Sequence, residues 1–95
     1  MFDKIKDFAK MAAQMREIKK RLDETLIELE SDDHSVKMVI TGSQEIKEIK
    51  FNSDPATFNK AQLEANLLKL TNKAIRDSQA TAASQMGAMQ GLLGG

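Results

Sequence analysis

The sequence predicts an α+β fold: α-β-β-β-α, with a three-stranded antiparallel meander and two long projecting helices, in a dimer. Three observations lead there. Apolar residues at heptad spacing occupy the first quarter of the chain. Three short β-rich stretches follow, separated by turn residues. A second long helical pattern takes the remainder. With 95 residues, 41% hydrophobic and 29% charged, the chain has the composition of one ordinary globular domain over residues 1–95.

The first helix is expected over about residues 3–24. Phe8, Met11, Met15, Ile18 and Leu22 recur at alternating spacings of three and four residues, the repeat of a packed helix seam. They are read as a dimer or core seam, with Lys6, Lys10, Lys20 and Arg21 across the helix from them. Strands are expected over about 25–31, 35–42 and 44–52. Ile27 and Leu29 alternate with Glu28 and Glu30 in the first, and the turn-rich Ser31-Asp32-Asp33-His34 ends it. Val36, Met38 and Ile40 mark one face of the second, and Gly42 is expected to supply a positive φ in the turn after it. Ile46, Ile49 and Phe51 break strict alternation, so a bulge is expected in the third strand. Pro55 ends the sheet. The last helix is expected over about 56–90, with Asn59 and Gln62 at capping-box spacing and Leu63, Leu67, Leu70 and Ala74 as its apolar face. A flexible glycine-rich tail is expected over 91–95. A helix of about 22 residues is roughly 33 Å long, and a small sheet covers only about 20 Å of it. Both helices must project, and a second copy is the simplest cover for the exposed seam.

The inventory of chemical groups excludes most catalysis. There is no cysteine and one histidine, His34 in an acidic turn, so no thiolate nucleophile or familiar zinc spacing exists. No Gly-rich phosphate loop and no serine-nucleophile motif is present. No enzyme activity, cofactor, metal or small-molecule substrate is expected. No apolar run reaches a membrane span or a secretory signal, so no membrane contact and an intracellular address are expected.

Charge is the remaining signal. Lys plus Arg and Asp plus Glu are 14 each, so the average favours no partner. Distribution is uneven. Residues 1–22 hold seven bases and three acids, net +4; residues 23–33 hold six acids and no base, net −6. On the last helix Lys69, Lys73 and Arg76 share one stripe, with Asp77 off to the side as the one nearby acid. With Lys6, Lys10, Lys20 and Arg21, these residues are the candidate contacts to phosphates. The acidic segment is expected at the sheet end, away from any duplex.

The whole chain resembles the YbaB/EbfC family. The resemblance runs through Phe8-Ala9-Lys10-Met11-Ala12-Ala13-Gln14-Met15, the acidic strand Leu26 to Ser31, and Val36-Lys37-Met38-Val39-Ile40-Thr41-Gly42. It continues in Glu45 to Pro55, Leu63-Glu64-Ala65-Asn66-Leu67, Thr71-Asn72-Lys73-Ala74, and Met86-Gly87 with Gly91. It implies an α-β-β-β-α homodimer whose helices project like tweezers and bind double-stranded DNA with low or broad sequence preference. It also implies a role in nucleoid organisation and gene regulation, and so a cytoplasmic, nucleoid location. The alternative is a prefoldin-like interaction or scaffold module using the same helices without DNA.

Overall fold

The computed structural model describes the backbone of residues 2–94 and side chains over residues 4–88. The elements are α1 (Phe2–Glu24), β1 (Leu26–Glu30), β2 (Val36–Thr41), β3 (Ile46–Phe51), a 3-10 turn (Pro55–Thr57) and α2 (Lys60–Gly94). The three strands form one antiparallel sheet in the order β1-β2-β3. Every expected strand is present, slightly shorter at its ends.

Strand alternation sets the core. Leu29 of β1 and Val36, Met38 and Ile40 of β2 point to one face, where they meet Leu70 and Ala74 of α2, flanked by Ile27, Leu63 and Leu67. α2 therefore lies over β1 and β2. The opposite face presents Glu28 and Lys37, 2.9 Å apart. Glu28 raises the Lys37 ammonium above its ordinary pKa by hydrogen bonding and charge, with Glu48 and Glu30 adding to it. The bulge expected in β3 is there: pairing slips between Val39↔Glu48 and Ile40↔Ile46, leaving Lys47 as the extra residue. It keeps Ile46, Ile49 and Phe51 on one side, where Phe51 meets Phe58 edge-to-face at 5.7 Å.

Three expectations change. Gly42 does not adopt positive φ; the left-handed residues are His34 (φ 61°) and Gln44 (φ 67°). Gly42 is needed instead for close approach, because a Cβ there would lie 2.9 Å from Leu22 Cδ2 and 3.2 Å from the Leu22 carbonyl oxygen. Second, the last helix starts at Lys60 rather than near 56. Asp54 and Pro55 make a separate 3-10 turn, and Asn59 caps α2 by accepting the Gln62 N–H at 3.2 Å. Third, the backbone of α2 runs helical to Gly94, past the expected end near residue 90. The side chains of that expected tail lie outside the described residues.

The helices outrun the sheet. The extents are 65 × 19 × 15 Å and the radius of gyration is 18.5 Å, against about 12 Å for a compact chain of this length. α1 runs toward the sheet and α2 away from it, with Met15, Ile18 and Leu22 sharing a groove with Met86. The α1 seam is thereby divided. Ile18 (8% exposed) and Leu22 are core, whereas Phe8 (76% exposed), Met11 and Met15 are uncovered.

Candidate nucleic-acid interface

The α2 cations sit on a helix whose opposite face is committed to the core. Leu70, Ala74 and Ser78, four residues apart, are buried against the sheet, and the Ser78 hydroxyl donates to the Thr41 carbonyl at 2.8 Å. This register leaves Lys69, Lys73 and Arg76 exposed along one flank of α2. On α1, burial of Ile18 and Leu22 leaves Lys6, Lys10, Lys20 and Arg21 exposed on the projecting helix. The two groups are brought onto one elongated body, but not into one cluster.

Their partners differ, and here the structure overturns an expectation. The α2 stripe is not free of acids. Asp32, at the tip of the β1–β2 turn, accepts a hydrogen bond from Lys69 Nζ at 2.5 Å. Lys69, by that hydrogen bond and by charge, and then Lys73, lower the Asp32 carboxyl pKa. The acidic turn thus lies directly beside the stripe rather than away from it, because antiparallel pairing of β1 with β2 brings their turn to the start of α2. Arg21 also has a partner, Glu17, at 3.8 Å on the same helix. Among the described residues, Lys6, Lys10, Lys20, Lys73 and Arg76 make no ion pair.

Next to Asp32 is a polar knot that sequence reading missed. Asp33 accepts from the Ser35 hydroxyl (2.7 Å), the Ser31 hydroxyl (2.7 Å), the Ser35 backbone N–H (3.1 Å) and the Asn66 amide (2.9 Å). These donors, Ser35 first, hold its carboxyl far below the ordinary range. Gln62 adds a longer contact at 3.4 Å. His34, with its ring Nδ1 2.7 Å from Glu30 Oε2, is an exposed turn residue. A shallow pocket of about 130 Å³ between this knot and Phe58 is lined by Thr57, Asn59, Gln62 and Leu63. The Ser-x-Asp-x-Ser spacing was the one available signal for the knot, since it places two hydroxyls around one carboxylate.

The surface chemistry is that of a binder of extended anions: separated cations on long exposed helices. Among the described residues, no helix is long and apolar enough to cross a membrane. The sequence profile of the YbaB/EbfC DNA-binding family matches residues 1–93. A nucleoid-associated protein of Dictyoglomus turgidum is 32% identical over 92 residues, covering 97% of this chain and 86% of the relative. One from Prochlorococcus marinus is 30% identical over 90 residues, covering 95% and 75%. A third, from Dictyoglomus thermophilum, is 30% identical over 92 residues, covering 97% and 86%.

Proposed function

The chain belongs to the YbaB/EbfC DNA-binding family, and from that premise we propose that it binds duplex DNA as a homodimer with low sequence preference. Its place of action is the nucleoid, as the names of its relatives say of them, and its role there is binding, not catalysis. The observation that carries the reading is the set of exposed cations on projecting helices that make no ion pair among the described residues: Lys6, Lys10 and Lys20 on α1, Lys73 and Arg76 on α2. Lys69 and Arg21 contribute less, since each already has a carboxylate partner. Phosphate contacts of this kind fix affinity without reading bases.

The second copy follows from exposed area. The accessible surface is 7038 Å², against about 5,400 Å² for a compact monomer of this mass. The excess is of the size that stable dimers cover, about 800 Å² per partner or more. Phe8, Met11 and Met15 of α1 form the uncovered seam, and Ile46, Ile49 and Phe51 of β3 form a second apolar face. Pairing two copies also doubles every cation stripe, which a chain of zero net charge needs to attract a polyanion.

The test is a titration of random-sequence duplex at several salt concentrations. Changing Lys6, Lys10 and Lys20 together to Ala should weaken binding more than Lys69→Ala alone. The log–log salt slope should flatten by about 0.9 for each phosphate that is no longer neutralised. Equal weakening by the two variants discards α1 as the main binding surface. Failure of the unmodified protein to bind duplex at low salt returns the scaffold reading.

A further inference from the structure

Asp32 occupies the ammonium of a cation that could otherwise meet a phosphate, Lys69. Its carboxylate takes the Lys69 ammonium and lies within the field of Lys73. Asp32, Lys69 and Lys73 line one shallow cleft between the β1–β2 turn and α2, together with Glu30 and Asn66. An ordinary surface ion pair has little effect, because two long mobile side chains must be ordered to form it. Here one partner is already placed. Asp33, the next residue, is tied to Ser31 and Ser35 within the turn and to Asn66 and Gln62 of α2. Asn66 lies one helical turn before Lys69, so the turn is fastened to the same helix that carries the cations. Val36 N–H to Ser31 Oγ (3.1 Å) and the Asn52 amide to the His34 carbonyl (2.8 Å) fasten its other side.

We propose that Asp32 is a built-in competitor for DNA phosphate at Lys69, and that its charge weakens the neighbouring Lys73 as a phosphate contact, so that the duplex must displace its carboxylate before using this part of α2 fully. The inference rests on the reading of the chain as a duplex binder and adds the residue that holds its affinity down. The device is electrostatic and always armed: Lys69 and Lys73 hold the Asp32 carboxyl below its ordinary pKa, so it stays ionised at neutral pH. The short reach of the turn leaves Lys6, Lys10 and Lys20 untouched, so the protein keeps one free and one occupied cation surface.

The experiment is a duplex titration over a salt series with four proteins: unmodified, Asp32→Asn, Lys69→Ala/Lys73→Ala, and the three changes combined. Glu48→Gln, the same unit of charge removed from β3, is the control. Asp32 is exposed, and circular dichroism checks that its variant folds. Asp32→Asn should bind about two- to tenfold tighter, with a salt slope steeper by about 0.9 per freed cation. The gain should vanish in the Lys69→Ala/Lys73→Ala background and exceed that of Glu48→Gln. If the unmodified protein binds and Asp32→Asn binds no tighter, the competitor is wrong while DNA binding stands. The competitor is equally wrong if the gain survives without the two lysines or if Glu48→Gln matches it, because long-range charge then explains it. If neither protein binds duplex at low salt, both the competitor and the DNA reading fall.

Discussion

At Gly42 the chain leaving β2 passes the last turn of α1. The Gly42 N–H donates to the carbonyls of Leu22 (3.0 Å) and Thr25 (3.1 Å), joining the Thr25 N–H (3.2 Å) on the Leu22 carbonyl at the helix end. A methyl group there would press on Leu22 and on that carbonyl. Gly42→Ala should therefore cost about 1–3 kcal/mol, as overpacking does, read as a lower urea midpoint with an unchanged slope. An unshifted midpoint would show that α1 yields at no cost. Asp33 is the second decisive residue. Its folded pKa is depressed, so its stabilisation is complete above the ordinary carboxylate value of about 3.9 and is lost as pH falls toward the lower folded value. Asp33→Asn should thus be less stable at neutral pH and lose less stability between about pH 5 and pH 2. Parallel acid limbs for variant and parent would sink this assignment.

At the scale of the element, α2 is two helices in one. Its first half holds the core through Leu63, Leu67, Leu70 and Ala74, and its second half runs through small residues to Met86, which shares a groove with α1. Two leucines separate the faces. Leu70 is 3% exposed and Leu68 is 68% exposed. Leu70→Ala should cost about 2–5 kcal/mol, the range for a buried leucine, whereas Leu68→Ala should leave the denaturation midpoint nearly unchanged. Similar costs at both positions would mean that Leu68 is covered in solution. β3 shows the complementary case. Its apolar residues share a side with the core strands, but α2 does not reach over them, so Ile49 remains 51% exposed.

For the whole molecule, elongation and assembly are one problem. A 65 Å body of 95 residues leaves Phe8, Met11 and Met15 of α1 exposed, the surface that the proposed second copy would cover. The divided seam allows assembly to be tested apart from folding, since Ile18 and Leu22 are core while Phe8 and Met11 are not. Phe8→Asp with Met11→Asp should keep full helical signal and sediment as a monomer at micromolar concentration, where the unmodified chain is expected to sediment as a dimer. Buried unpaired carboxylates make the paired state unfavourable. A double variant that remains dimeric removes α1 from the interface, and a monomeric parent removes the dimer itself.

The element order, the β1 strand, the β3 bulge and the apolar face of α2 are all readable from residues a few positions apart. Ile27 and Leu29 against Glu28 and Glu30 give a strand, and Leu63, Leu67, Leu70 and Ala74 give a helix face, because local periodicity and burial share one geometry. Gly42 was recognisable as special but not why, since its neighbour Leu22 is twenty residues away and belongs to another element. The pairing of Lys69 with Asp32 spans thirty-seven positions, and Asp33 reaches Asn66 over thirty-three. No helical wheel contains such contacts. They arise when the sheet lays its β1–β2 turn against α2, and one cation of a stripe that looks free along the chain, Lys69, is then paired in space.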